Sequence, residues 1–239
     1  LETKGQKGRY GVVGLGTGSL TCFSKPGEAW RIFEIDPVII GIASNPEKFS
    51  FVSNCQPKLD AVIGDARLTM TREPNQSFDL IIVDAFSSDA IPVHLLTAEA
   101  IRLYTEKLKP EGVLVLHISN RYLDLDSILA ATMPLVPGLD GLILSDDDAD
   151  GSYASTTSTA GVFSKSKEAL APFRALEMAH EMHETKLRGW TDDYINLPRA
   201  LWEGLTGVET CRIYTYLAQC QGNTPPPEVT PTPAAPLSP

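Results

Sequence analysis

Residues 11–19 read "GVVGLGTGS", an apolar, partly β-branched run that breaks into glycines alternating with Leu15, Thr17 and Ser19. A strand that ends this way, before a helix, marks the edge of a sheet where ligands bind. Glycine allows both a tight turn and a close approach of backbone to a bound group. The spacing is G-x-G-x-G and not the G-x-G-x-x-G of dinucleotide-binding folds, which weakens the reading as an NAD-dependent dehydrogenase. The meaning of the turn therefore depends on what the following strands bring to the same edge.

Short apolar runs at Tyr10–Leu15, Trp30–Ile35, Leu59–Ile63, Leu80–Asp84 and Val113–Ile118 alternate with helix-compatible stretches, the pattern of a parallel sheet with crossover helices. Asp36 and Pro37 supply an N-cap and a first-turn proline for a helix running to Ala43. Thr97 precedes a second helix in which Ile101, Tyr104 and Leu108 recur, with Lys107 and Lys109 near its end and Pro110-Glu111-Gly112 as its stop. A helix over 123–133 and strands at Leu139–Leu144 and Ala160–Phe163 complete the expectation: an α/β, doubly wound, mostly parallel seven-stranded sheet. Residues 1–221 read as one domain, and "GNTPPPEVTPTPAAPLSP" (222–239) as a disordered proline-rich tail.

Composition narrows the partners. In 239 residues, 43% of them hydrophobic, the chain can bury one substantial core, and its net charge of −10 argues against a nucleic-acid surface and serves either simple solubility or a cationic small molecule. No run is long enough for a membrane span, no signal-peptide pattern opens the chain, and a start at Leu1 fits a piece of a longer polypeptide. Cys22, Cys55, Cys211 and Cys220 show no metal-ligand spacing and read as reduced structural thiols, with a Cys211–Cys220 bridge left open. The acids at 146–150 read as a solvated turn.

The strand ends carry the chemistry. Glu34 follows Gly14 by twenty positions, where an acid, with Ile35 beside it, accepts the ribose hydroxyls of a nucleoside. Asp65, with Ala66, either meets an adenine amine or caps the next helix. Asp84 ends the fourth strand and Asp89 follows in "IVDAFSSDAIP" (82–92), an arrangement costly beside a core unless the acids are paired, solvated or used. His94 sits either at a helix start or at a pocket mouth, and His117 ends the fifth strand facing core or crevice. His180 and His183 are helix-spaced without a third ligand, so no metal is expected. Asp192, Asp193 and Tyr194, in "GWTDDYINL" (189–197), are placed either to close over a cationic substrate or to form a turn.

The order of "GVVGLGTGS", "FEID" (33–36), "IGDAR" (63–67), "FDLIIVDAFSSDAIP" (78–92) and "LYTEKLKPEGVLVLHISN" (103–120) resembles the spermidine synthase family of aminopropyltransferases, within the Rossmann-like class I methyltransferase fold. It is nearest to bacterial spermidine-synthase-like domains, some of them fused behind membrane-transporter-like segments. The resemblance implies S-adenosylmethionine or its decarboxylated form as donor, held by Gly14, Gly16, Thr17, Gly18, Ser19, Glu34, Ile35, Asp65, Ala66 and Asp84. It makes Asp84 the catalytic acid that binds and deprotonates an attacking amine, with Asp89, Asp192, Asp193 and Tyr194 on the substrate side. It implies a small cationic amine as partner, with a homodimer and a place in a larger membrane-attached protein left open, and a cytoplasmic location for the domain. Two departures stand out. The family's loop acid, which holds the donor's amine, falls here on Thr17 or Ser19, and no amino-terminal hairpin domain precedes Tyr10. An ordinary methyltransferase, an enzyme that cyclises or eliminates the methionine arm, and a non-catalytic nucleoside sensor are the alternatives.

Overall fold

The computed structural model describes residues 8–85, 92–120, 123–146 and 158–206. Asp89, Cys211, Cys220, the acids at 147–150 and the proline-rich tail lie outside the described residues. Strands β1 (Arg9–Val13), β2 (Ala29–Glu34), β3 (Asp60–Ile63), β4 (Phe78–Val83) and β5 (Leu108–His117) are followed by β6 (Asp140–Asp146), β7 (Ser158–Ser164) and β8 (Ala179–Glu181). They form one sheet in the order β3-β2-β1-β4-β5-β7-β6-β8. The pairs from β3 to β5 are parallel, and β7, β6 and β8 join antiparallel. The chain turns back at β1, moving first to β2 and β3 and then across to β4, so a crevice opens where β1 and β4 diverge.

Strand periodicity of two builds the core on both faces. Val13, Phe33, Leu114, Ile143 and Phe163 face one layer, made by α3 (Ala66–Met70), α4 (Ala98–Lys107), α5 (Leu125–Thr132) and the buried Trp190. Their neighbours Val12 and Ile32 pack against α1 (Pro37–Ala43) and α2 (Phe51–Cys55), while Val113, Leu142 and Val162 pack against α6 (Lys167–Arg174). The last helix, α7 (Leu197–Thr206), adds Ala200 to the first layer. At the edge of the sheet away from the crevice, Glu73 joins Arg9 and Arg31 at 2.6 and 2.7 Å.

Several expectations change. The described residues hold eight strands, not seven, because Ala179–Glu181 pairs with β6 despite its polar sequence. His180 is thus in a strand and His183 beyond it, so their spacing is not that of a helix face. The helix expected through Lys109 stops at Lys107, whose ammonium donates to the Thr71 and Glu73 carbonyls and to Asn75 Oδ1. Pro110 and Gly112 then lie inside β5, and the pairing with β4 shifts register between Phe78 and Leu80. The glycine turn leads to a single 3-10 turn, Ser19–Phe23, and not to a full helix, with Pro26 soon after it. Cys22 and Cys55 are not reduced thiols but a disulfide across 33 positions, tying that turn to α2. Among the described residues no helix is long and apolar enough to cross a membrane.

Candidate active site

The backbone sets the site before any side chain does. Gly14 N–H donates to Phe33 O at 2.8 Å, Asp84 N–H to Val13 O at 2.8 Å and Gly64 N–H to Glu34 O at 3.0 Å, so four strand ends interlock. Gly14 has φ +94°, and a β-carbon there would lie 2.2 Å from the Asp84 carbonyl oxygen, so only glycine fits. Gly16 has φ +54°, with open space where its β-carbon would be.

These ends line a cavity of about 420 Å3, within the range of about 300–1,000 Å3 usual for small-molecule sites. Val13 to Thr17, Ser19 and Leu20 form one wall, and Phe33, Glu34, Ile35 and Ile39 the next. Gly64, Asp65 and Ala66, then Asp84 and Ala85, and finally Pro92, His94 and Leu95 complete it. Ile35 is 67% exposed, an apolar side chain left facing the opening.

Glu34 is buried, and its two oxygens accept from Leu15 N–H (2.9 Å) and Asp36 N–H (3.0 Å). Each oxygen keeps a second lone pair for a ligand hydroxyl. Asp65 caps α3, its Oδ1 accepting Leu68 N–H at 3.0 Å, and it also lines the cavity, with Oδ2 3.2 Å from His94 Nε2. Asp84 Oδ1 is 2.7 Å from His117 Nδ1.

The other candidates lie off the cavity. Gly18 packs its turn on α2, since a β-carbon there would meet Val52 Cγ2 at 2.4 Å. Asp192 is engaged by Arg67 in a two-pronged ion pair at 2.8 and 2.7 Å and accepts from Thr97 Oγ1 at 2.7 Å. The Arg67 guanidinium, with help from Thr97, holds its carboxyl below the usual value. Asp193 is exposed in the turn between Thr191 and Tyr194, and the Tyr194 ring lies 4.0 Å from the Arg188 guanidinium. His94 meets both alternatives given for it, sitting in the 3-10 turn Val93–Leu95 and lining the cavity, while the sequence leaves His117 undecided. The available signal was Pro92-Val93-His94 after the Asp84 loop, and His117 at the end of the fifth strand, two positions before Ser119.

No family model matches the chain. Over 111 residues it is 35% identical to a polyamine aminopropyltransferase of Vibrio vulnificus, a match covering 44% of this chain and 35% of that protein. The chain thus spans about a third of the length of that relative. Its fold is similar to that of a probable spermidine synthase from Corynebacterium glutamicum (TM-score 0.57, 16% identity, 80% of this chain and 74% of the other). It is also similar to a spermidine synthase in complex with the transition-state analogue AdoDATO (TM-score 0.53, 18% identity, 78% and 64% covered). Human methyltransferase-like protein 13 in complex with SAH shares the fold too (TM-score 0.53, 23% identity, 81% and 89% covered). The chain is therefore similar in sequence to a polyamine aminopropyltransferase and has the α/β fold that spermidine synthases share with methyltransferases.

Proposed function

We propose that this chain is a transferase that binds S-adenosylmethionine or its decarboxylated form and passes the aminopropyl arm of the decarboxylated donor to a small amine. The observation that carries the reading is the joint at Gly14, which sets the Asp84 backbone against the glycine turn at the mouth of one cavity. The likeness to a polyamine aminopropyltransferase over 111 residues supports it.

The cavity suits a nucleoside. Glu34 has lone pairs for two ribose hydroxyls, Asp65 an acceptor for an exocyclic amine, and Ile35, Ala66 and Leu95 apolar surface for a base. The sulfonium donor supplies an electrophilic carbon. Asp84 binds the incoming amine, which is protonated at neutral pH with a usual pKa of about 10, and receives its proton so that the lone pair is free and aligned.

Methyl transfer from the intact donor is the second reading. Its specific support is the turn itself, where Thr17 and Ser19 offer hydroxyls in place of an acid, so a carboxylate-bearing arm meets no like charge there.

Calorimetric titration with S-adenosylmethionine, its decarboxylated form, methylthioadenosine and NAD, followed by product analysis with putrescine or spermidine, tests both readings. Preference for the decarboxylated donor with release of methylthioadenosine supports aminopropyl transfer, preference for the intact donor supports methyl transfer, and no nucleoside binding refutes both. Asp84→Asn is expected to bind the donor as the wild type does and to lose about 10²- to 10⁴-fold in kcat.

A further inference from the structure

Asp84 is the end of a hydrogen-bonded chain that starts on another strand. His117 Nδ1 lies 2.7 Å from Asp84 Oδ1, and His117 Nε2 lies 2.7 Å from Ser119 Oγ. Ser119 Oγ accepts the Thr159 backbone N–H at 2.8 Å. The antiparallel register that sets His117 against Ala160, and the bond from Ile118 N–H to Thr159 O at 2.9 Å, fix this crossing between β5 and β7.

Chemistry orients the chain. An ionised carboxylate only accepts, so the short contact to Asp84 requires the hydrogen on Nδ1. In the neutral ring Nε2 then offers a lone pair to the Ser119 hydroxyl at 2.7 Å, nearer than the Thr159 carbonyl at 3.5 Å, and the Ser119 oxygen in turn receives the Thr159 amide. His117 and Ser119 each donate on one side and accept on the other, between a backbone amide of β7 that donates and the acid at the cavity that accepts. His117 is not among the residues lining the cavity, and its bond to Asp84, which is, links it to that cavity.

We propose that His117, in its Nδ1–H form, is the positioning residue of the reactive site, holding Asp84 in one orientation so that the second carboxylate oxygen receives the acceptor amine. The part concerning the amine rests on the transfer reading above. In that step the nitrogen lone pair forms a bond to the carbon beside the sulfonium, and the carbon–sulfur bond breaks with its electron pair going to sulfur. The proton lost from nitrogen goes to Asp84 and from there to water. His117 keeps its own hydrogen on Nδ1 throughout.

Two measurements separate this assignment from the transfer reading. Long-range proton–nitrogen NMR of the wild-type chain reads the tautomer of each of its four histidines, with His117 identified by the signals missing from His117→Asn. An Nδ1–H ring at 117 is expected, and an Nε2–H ring overturns the proposal whether or not the protein turns over. Kinetics follow with His117→Leu, which removes the donor, and His117→Asn, whose side-chain amide can replace it. With methylthioadenosine affinity within twofold of wild type in both, kcat is expected to fall about 10- to 100-fold in the Leu variant, the usual scale for losing an orienting partner, and less in the Asn variant. Equal kcat in the two variants, or nucleoside binding lost along with turnover, overturns the positioning role. A wild-type chain that binds nucleoside but transfers nothing refutes the transfer reading, and the tautomer alone then decides the pairing.

Discussion

Glu34 shows how one side chain serves the fold and the site together. Its oxygens already accept the Leu15 and Asp36 amides, so the carboxylate is locked in place before any ligand arrives. Glu34→Gln puts an NH2 group where one of those amides now donates, and removes charge from the group proposed to meet the ribose. Nucleoside affinity is expected to fall by about 10- to 100-fold, in line with about 1.5–3 kcal/mol for a hydrogen bond to a charged group, and titration of the variant with methylthioadenosine checks it. Residues such as Glu34, Asp65 and Asp84 were legible in the sequence because strand ends in this topology must reach one edge. The partners of Asp84 and Asp192 were not, since His117 and Arg67 come from distant parts of the chain, and one sequence without contacts cannot say which of several polar groups meets which acid.

At the scale of elements, the 3-10 turn Ser19–Phe23 is too short to hold itself, and the Cys22–Cys55 bridge fastens it to α2. Ser19 and Leu20 of that turn are cavity wall, so the bridge braces that side of the cavity. Replacing both cysteines by serine is expected to lower stability by about 2–4 kcal/mol and to weaken nucleoside binding, read by denaturant titration and calorimetry. Pairing across 33 positions leaves no motif for a reader of sequence to find. The same holds for β8, whose three residues pair with β6 against their own composition. Where the strands were central and buried on both faces, as in β1, β4 and β5, their apolar runs gave them away.

Over the whole molecule, the Arg67–Asp192 pair ties the segment after β8 to α3 across 125 positions, while Asp192 N–H reaches Glu99 Oε2 at 2.9 Å. The pair is partly exposed, so it is worth no more than about 1 kcal/mol. Its sign with pH is fixed. The folded protein keeps the Asp192 carboxyl ionised below the ordinary 3.8, so the unfolded chain takes up the proton first. The extra stability of wild type over Asp192→Asn is therefore present at neutral pH and lost as pH falls from about 4 through the lower folded value. Equal denaturation curves at pH 7 would refute it. One joint remains, the contact between Gly14 and the Asp84 carbonyl. Because no L-amino acid with a side chain fits there without displacing the exit of β4, position 14 works as a one-letter test for relatives. A sequence gathered by overall likeness that carries another residue at this place has rebuilt the junction, and its strand-end acid and first turn no longer share this geometry.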